Sequence, residues 1–348
     1  MKKVSIILVV LLFMLAGCGG NKQATDDFII VDVNGSYPEK ELILQDVVDV
    51  EYVVLETTDE FITRGVVEDI GKNIILVRNY RDGDIFVFDR SGKGLRKINR
   101  FGQSGEEYSQ IGDIILDEDN NEMFVKDYPA RKILVYDLYG NFKRSFKFTD
   151  TGYYDFAFNY DRDNLIFYKS YLPIDNEQSG HIHVSKLDGS ITREIHIPVD
   201  EIVSPKVRIE QDDITITPAF YLTTPSQGYW FLMNTSSDTI YNYFPDNKIS
   251  PFIVRTPAIH SMEVDDLVYD KQEKTIYRYS LYNSNYSNKQ QVYWSEALNQ
   301  KIATWQHLEA PDLVEAYKEG QLKGKLKEIV TELDEDSNPV IMLLKHKK

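Results

Sequence analysis

The stretch that decides the fold is Ile85–Gly92, IFVFDRSG, which is followed by six residues ending in an apolar side chain. Ile133–Gly140, ILVYDLYG, and Ile182–Gly189, IHVSKLDG, repeat it. The three copies align without a gap, because each has an apolar start, a glycine seven residues later and an apolar residue six positions further on. Each copy therefore predicts two short alternating strands around a glycine turn, which is a β-hairpin.

Three weaker copies keep this spacing: Ile240–Ile253, Val292–Trp305 and Phe28–Glu41. Asn247 and Asn299 take the turn position in the first two, and Asn also tolerates positive φ. From the first glycine turn onward, successive turns are 48, 49, 58 and 52 residues apart. Six hairpins at this period indicate six repeated units.

A second pair of strands precedes each of the three clear hairpins. These pairs are Val66–Asp69 with Ile74–Val77, Asp113–Leu116 with Met123–Val125, and Tyr154–Phe158 with Leu165–Tyr168. Four strands in each unit at a period near 50 residues are typical of a β-propeller blade. The sequence therefore predicts an all-β, six-bladed β-propeller. We expect Pro339–Leu344, Phe28–Val33 and Leu42–Leu44 to share one composite blade that closes the ring.

One stretch has the apolar spacing of helix instead of strand. It covers about residues 311–333, where leucines and valines recur among many Lys and Glu, interrupted by Gly320 and Gly324. It predicts a short helical insertion before the last strand, packed on the outside of the ring. About 20 residues cannot bury a core of their own.

The N-terminus reads as a targeting segment. Positive residues open it, Val4–Leu15 is apolar but too short to span a bilayer, and Leu15–Cys18 (LAGC) resembles the lipobox of bacterial lipoproteins. The resemblance implies a signal peptide over 1–17, acylation of Cys18, a tether over 18–27 and a propeller over 28–348. A plain secretory signal is the alternative. Because Cys18 is the only cysteine and would carry the lipid, we expect the mature protein to lack a disulfide framework, a thiol nucleophile and a Cys-ligated metal.

Charge restricts the classes of partner. The formal net charge is -16, which argues against nucleic acid and against adhesion to anionic lipid by charge. We therefore expect the membrane to be reached only through the lipid anchor. The 23 Tyr and 17 Phe favour strands over helices.

Several motifs resemble a known family. Gly102–Tyr108 (GQSGEEY) resembles the G-x-G-P-G-E-Y loop of NHL-like propellers, although Ser104, Gly105 and Glu106 replace the usual Gly, Pro and Gly. Ser237–Tyr241 and Glu335–Met342 resemble segments of six-bladed β-propeller lipoproteins of Bacteroidota. The resemblance implies a six-bladed ring and a lipid anchor but no established activity. No acidic run follows Cys18, so by the same resemblance we expect the periplasmic leaflet of the outer membrane.

Catalytic signatures are missing from the sequence. It contains no H-E-x-x-H, G-x-S-x-G, P-loop or Rossmann motif. His181 and His183 share one face of a strand and could contact a metal, but ordinary strand histidines are favoured. The acidic runs 117–121, 161–164 and 334–336 could bind calcium. An ordinary role as turn residues is favoured, because Asp and Asn side chains bond to the backbone of tight turns.

Tyrosines and bases recur at matching places in the first three units. Tyr80 and Tyr128 stand five residues before their hairpins, Tyr171 follows after an insertion, and a base precedes each Tyr by two residues. With two residues of the blade connection, the candidate binding residues are Arg78, Tyr80, Arg100, Tyr108, Lys126, Tyr128, Lys169 and Tyr171. This pattern predicts a ring of Tyr and cations at one mouth of the channel. In the alternative, the rings wedge between blades and the bases stay solvated. Thr235 breaks the pattern in the fourth unit.

These observations favour a lipid-anchored cell-envelope protein that binds a glycan, a peptide or a partner protein, with no cofactor. A calcium-dependent propeller hydrolase acting at the central channel is the alternative. A structural subunit of an envelope complex is a third possibility. The fold itself supports recognition and catalysis equally.

Overall fold

The computed structural model describes residues 11–12, 28–79, 81–147, 154–169, 180–199, 207–209, 214–216, 223–234, 236–258, 267–293, 299 and 301–347. Its strands form a six-bladed β-propeller, so the predicted fold class is confirmed. We number the blades in chain order from the first four-stranded sheet.

Blades 1 to 3 are antiparallel four-stranded sheets whose strands follow one another along the chain. Blade 1 contains Val66–Ile70, Ile74–Arg78, Asp84–Asp89 and Gly94–Asn99. Blade 2 contains Ile111–Asp117, Glu122–Asp127, Lys132–Asp137 and Phe142–Lys147, with a 3-10 turn at Glu118–Asn120. Blade 3 contains Tyr154–Asn159, Asn164–Lys169, Gly180–Ser185 and Ile191–Ile195.

Blades 4 to 6 each include a strand from the N-terminal part of the chain. Blade 4 contains Thr223–Ser226, Tyr229–Leu232, Thr239–Tyr243, Ile249–Thr256 and Ile29–Asp32. Blade 5 contains Leu11–Leu12, Leu267–Asp270, Thr275–Tyr282 and Glu39–Ile43. Blade 6 contains Ile302–Leu308, Val340–His346 and Val48–Val54. A separate hairpin pairs Val207–Ile209 with Ile214–Ile216.

The predicted glycine turns are confirmed. Gly92, Gly140 and Gly189 have φ of 90°, 85° and 77°, and Asn247 has φ of 66°. These positive values are accessible to Gly and Asn at low cost, which is why the repeat places these two residue types there. In each of the first four blades the turn therefore joins the third strand to the fourth.

Apolar side chains fill the seams between neighbouring blades. Ile85, Val87 and Tyr108 of the first seam pack against Leu116 and Val125 of blade 2. Similar clusters lie between blades 2 and 3, 3 and 4, 5 and 6, and 6 and 1. Both faces of blades 1, 2, 3 and 6 are therefore covered, which explains the nearly continuous apolar runs of the inner strands of blades 1 to 3.

Three strands that we call the N-terminal band, Ile29–Asp32, Glu39–Ile43 and Val48–Val54, run along three successive blades. The first two pair in parallel with Ile249–Thr256 and Thr275–Tyr282. The third pairs antiparallel with the C-terminal strand Val340–His346 and closes the ring.

The band corrects part of the expected closure. Closure by the two chain ends is confirmed, but residues 28–33 and 42–44 do not share the blade of residues 339–344. The hairpin expected over Phe28–Glu41 is also wrong, because its two strands pair with different blades. The middle of the hairpin expected over Val292–Trp305 lies outside the described residues, which do not include 294–298 and 300. Of its described parts, Val292 bonds to Leu281 of blade 5, and Ile302–Leu308 pairs with Val340–His346.

The helical insertion is confirmed as two short helices, Ala310–Lys318 and Gly324–Val330. Pro311 lies in the first turn of the first helix, where its fixed φ is favourable, and Gly320 follows the end of that helix with φ of 70°. Leu313, Leu326 and Val330 pack into the seam of blades 5 and 6. A single helical turn also spans Leu44–Val47. Within the described ranges, none of the helices has the length and apolar character needed to cross a membrane.

Candidate functional site

The two faces of the ring differ in what they carry. We call the face that holds the Gly92, Gly140, Gly189 and Asn247 turns the turn face. The opposite face, the loop face, carries the loops between second and third strands and the connections between blades. Consecutive antiparallel strands place the two kinds of connection at opposite ends of each blade. The candidate site lies on the loop face of blades 1 and 2.

The NHL-like loop Gly102–Tyr108 is built into the core. Tyr108 is buried, and its hydroxyl donates to the Gly83 carbonyl at 2.7 Å and accepts from the Arg100 backbone N–H at 2.8 Å. Burial raises the pKa of Tyr108 to about 12. The Arg100 Nε donates to the Gly140 carbonyl of blade 2 at 2.8 Å. Tyr108 and Arg100 therefore join two blades.

Two of the predicted bases, Arg78 and Lys126, are buried and paired with acids. The Arg78 Nε donates to Glu68 Oε1 at 2.8 Å, and its Nη1 donates to the Ile111 carbonyl of blade 2 at 2.7 Å. The Lys126 Nζ lies 3.5 Å from Asp113 Oδ1. Glu68 and Asp113 are each the third residue of an inner strand, so the repeat places the same ion pair at successive blades.

Glu68 bridges two inner strands. Its Oε2 accepts from the Ile114 backbone N–H of blade 2 at 2.8 Å, while its Oε1 faces Arg78. Burial raises the pKa of Glu68 to about 7, and the Arg78 guanidinium opposes that rise. The neighbouring Asp69 accepts from the Leu116 N–H at 3.1 Å, and burial raises its pKa to about 6. Both carboxyls therefore bond to backbone N–H groups of blade 2, and the pKa of each is raised by burial.

Above these ion pairs lies a group of exposed side chains that we call the mouth patch: Ile62, Arg64, Val66, Arg81, Phe101 and Tyr128. Its apolar members are unusually accessible for their size, with exposed fractions of 57% for Ile62, 42% for Val66, 55% for Phe101 and 43% for Tyr128. The arginines are exposed too. The patch combines apolar side chains with arginines, and the same segments also expose the carboxylates of Asp59, Glu60 and Asp82.

Contacts between loops connect the segments that carry these side chains. The Thr63 Oγ1 bonds to Asn79 Oδ1 at 2.7 Å, which joins the segment of Ile62 to the loop of Arg81. Phe101 packs on Gly83 of that same loop, where an added Cβ would come within 3.0 Å of the Phe101 Cβ.

On blade 2, the Tyr128 ring lies against Gly112, where an added Cβ would come within 2.9 Å of the ring. The Lys126 Nζ lies 5.3 Å from the centroid of the same ring. Arg78, through its bond to the Ile111 carbonyl, ties this part of the patch to blade 1.

The structure brings together only part of the predicted ring. It places Tyr128 at the surface, Arg78 and Lys126 beneath it, and Tyr108 in the core. Tyr80, Tyr171, Thr235 and the side chain of Lys169 lie outside the described residues. Sequence reasoning missed Ile62, Arg64, Val66 and Arg81. A signal existed in Phe61–Val66, where exposed side chains alternate with the buried Phe61, Thr63 and Gly65.

The histidines and acidic turns considered as metal ligands have other contacts. His181 and His183 are buried, and the His183 ring lies 4.0 Å from that of Tyr160. Burial lowers the pKa of His183 to about 4. Glu118, in the acidic run 117–121, accepts from the backbone N–H groups of Lys72 and Asn73 in blade 1. Among the described residues, no group of three or more His, Cys, Asp or Glu is placed to hold a metal ion.

Comparisons with known proteins place the fold. The family model DUF5128, a 6-bladed beta-propeller, matches residues 19–330. The crystal structure of a protein described as exported, from Bacteroides fragilis NCTC 9343, is 13% identical with a TM-score of 0.56 and covers 89% of this chain and 100% of that chain. At this identity the likeness shows the fold alone.

Two other solved structures are more distant. A member of the DUF4221 family from Bacteroides vulgatus ATCC 8482 is 12% identical with a TM-score of 0.42, covering 62% of this chain and 64% of that chain. Virginiamycin B lyase from Staphylococcus aureus is 12% identical with a TM-score of 0.35, covering 70% and 73%. No curated protein shows significant sequence similarity to this chain.

Proposed function

Because the chain belongs to the DUF5128 family of six-bladed β-propellers, we propose that it is a lipid-anchored binding protein of the cell envelope. Cys18 is the acylated residue, and the domain faces the periplasm from the outer membrane. The ligand is a glycan, a peptide or a partner protein of the envelope. It binds at the mouth patch on the loop face of blades 1 and 2.

The observation that carries the binding role is the mouth patch itself. Single exposed apolar residues are ordinary on protein surfaces, whereas contiguous apolar surface marks interaction sites. Here four large apolar side chains with exposed fractions of 42% to 57% lie on loops that contact one another. The ring beneath them holds these loops in place, since hydrogen bonds from the buried Arg78–Glu68 pair join blades 1 and 2. Such a surface needs little ordering when it binds.

The anchor has a direct test. We expect Cys18→Ser expressed in the native host to move from the membrane pellet to the soluble periplasmic fraction, because one acylated cysteine is the only proposed attachment. Mass spectrometry of the wild-type N-terminal peptide should show a lipid mass on Cys18. A serine variant that has lost residues 1–17 and still stays in the pellet would contradict the anchor.

The binding role is tested with the soluble protein that starts after Cys18. We expect the wild type to bind on a glycan or peptide array, and Phe101→Ser and Tyr128→Ser each to weaken that binding at least about tenfold, since exposed aromatic anchors dominate binding energy. Leu187→Ser is the matched control, because Leu187 is equally apolar and 75% exposed but lies on the turn face. Thermal unfolding confirms that each variant is folded. A wild type that binds nothing, or patch variants that bind like Leu187→Ser, would refute the role.

A further inference from the structure

We propose that two copies of this protein pair through the outer edge of blade 4, with Ile29–Asp32 of one copy antiparallel to the same strand of the other. This edge is separate from the mouth patch on blades 1 and 2, and the inference does not depend on the ligand of that patch. Three features of the strand carry it: its open backbone groups, its exposed apolar side chains and its lack of protecting charges.

The outer edge of blade 4 has open backbone groups. Ile29–Asp32 is the last strand of this five-stranded sheet. The next residue, Val33, donates its N–H to the Thr256 carbonyl at 2.9 Å. Since backbone groups alternate between the two edges of a strand, those of Val31 also face the sheet and those of Ile30 point outward. Within the described ranges, neither the N–H nor the C=O of Ile30 makes a hydrogen bond on that outer side.

The side chains on this edge are apolar and accessible. Phe28 and Ile30 stand two positions apart and therefore lie on the same side of the strand, with exposed fractions of 45% and 57%. A second extended strand would bond to the Ile30 N–H and C=O and would also cover both side chains. The partner that this edge fits is therefore a protein segment in extended conformation.

The strand also lacks the charges that protect the other outer strands. Native sheets discourage pairing of their exposed edges by placing charged side chains there. Among the six outer strands that the structure describes, the other five each carry two or three charged residues: Arg96 and Lys97; Lys143, Arg144 and Lys147; Arg193 and Glu194; Glu39, Lys40 and Glu41; Asp49 and Glu51. Ile29–Asp32 carries Asp32 alone, at its end. The sequence therefore leaves the edge of blade 4 open to pairing.

A second copy of the chain is complementary to this edge. In an antiparallel pair, two residues that face each other can exchange both of their N–H···O bonds. When Ile30 faces Ile30 of the second copy, a two-fold axis passes between them and each Asp32 faces Phe28 of the other copy. The contact is then isologous, because each copy contributes the same groups. The Asp32 carbonyl already accepts from the Gly35 N–H at 2.9 Å, so the pairing ends at this residue.

Charge opposes this pairing and predicts its response to salt. Each copy has a formal net charge of -16, so the two copies repel each other. Salt screens that repulsion, and the dimer should therefore become tighter as the salt concentration rises. Because the paired strand has only four residues, we expect a weak dimer whose population depends on protein concentration.

Sedimentation velocity of the soluble protein that starts after Cys18, at several protein and salt concentrations, tests the dimer. Ile30→Lys should raise its dissociation constant at least about tenfold, because two like charges would face each other. Ile30→Pro should also weaken the dimer, because proline removes the outward N–H but no hydrogen bond to the sheet. Leu187→Lys is the control, since Leu187 is apolar and 75% exposed on blade 3. Thermal unfolding confirms that each variant is folded.

A disulfide locates the contact. The soluble protein contains no cysteine, so Ile30→Cys has a single thiol. The Cα atoms of facing residues in such a pair lie about 5.5 Å apart, a separation that a disulfide can span. Oxidised glutathione should therefore convert Ile30→Cys into a covalent dimer, whereas Leu187→Cys should react far more slowly.

Several results would overturn the proposal. These are a wild type that stays monomeric, a dimer that Ile30→Lys and Ile30→Pro leave intact, and an Ile30→Cys variant that crosslinks no faster than Leu187→Cys. Protection of the Ile30 N–H from hydrogen exchange in dilute monomer would also overturn it, because another segment of the same chain would then cover the edge. None of these results bears on binding at the mouth patch, which has its own variants.

Discussion

Lys186→Met is expected to lower the free energy of unfolding by about 3 to 5 kcal/mol, the usual cost of breaking a buried ion pair. The Lys186 Nζ donates to Asp117 Oδ2 at 2.6 Å, Asn159 Oδ1 at 2.7 Å and the Asp161 carbonyl at 2.5 Å. Lys186 and Asp117 are only 4% and 2% exposed. Methionine keeps the apolar stem but leaves three acceptors without their donor at the seam of blades 2 and 3.

Urea unfolding monitored by tryptophan fluorescence measures this change. The control is Lys72→Met, which removes another Lys–Asp pair at the turn face, with Asp119 as the partner. The Lys72 side chain is 54% exposed, so its loss should shift the urea midpoint little. Equal midpoints for the two variants would show that the buried pair does not secure the seam.

Glu68→Gln is expected to remove a large part of the pH dependence of stability. The pKa of Glu68 is raised to about 7 in the folded state from an ordinary value of 4.5, because burial disfavours its charged form. A raised carboxyl pKa stabilises the fold below the unfolded pKa, and this contribution is lost as the pH rises through 7. Between pH 5 and pH 8 the wild type should therefore lose about 2 to 3 kcal/mol that the variant does not lose.

The difference between the two proteins is the quantity to measure, by urea unfolding at pH 5, 6, 7 and 8. Asp69, with its pKa raised to about 6, acts in the same direction as Glu68. His183, with its pKa lowered to about 4, acts in the opposite direction, because its contribution is lost as the pH falls below 6.5. Both remain in the variant and cancel in the difference. Glu60→Gln, at an exposed carboxylate, is the control. A constant difference across this range would contradict the raised pKa of Glu68.

Local repeats made most of the ring predictable. Strands that are neighbours in sequence pair with each other in blades 1 to 3, so period-two alternation and the glycine turns were sufficient. The N-terminal band was not predictable in the same way. Ile29–Asp32 and Glu39–Ile43 alternate in side-chain exposure, but each pairs in parallel with a strand more than 200 residues away. Alternation shows that a segment is a strand and carries no information on its partner.

The candidate site was harder to predict than the fold, because two classes of side chain look alike in sequence. Arg78 and Lys126 follow apolar strand residues, as a solvated base near the end of a strand would. Their ion-pair partners Glu68 and Asp113, on the neighbouring inner strands, identify them as members of buried pairs. Tyr108 and Tyr128 are equally aromatic loop residues. The hydrogen bonds of Tyr108 to Gly83 and Arg100 place it in the core, while Tyr128 lies at the surface.

Ring closure also sets the order in which this protein can fold. Lys345 pairs with Glu51 across 294 residues of chain, and the whole strand Val340–His346 needs Val48–Val54 as its neighbour. Contacts of such long range slow folding, because closing the loop costs conformational entropy before the contact can stabilise the fold. Blades 1 to 3 can form as soon as their own residues are free, whereas blade 6 must wait for the last residues of the chain. A protein built this way completes its ring only after the strand Val340–His346 has been made.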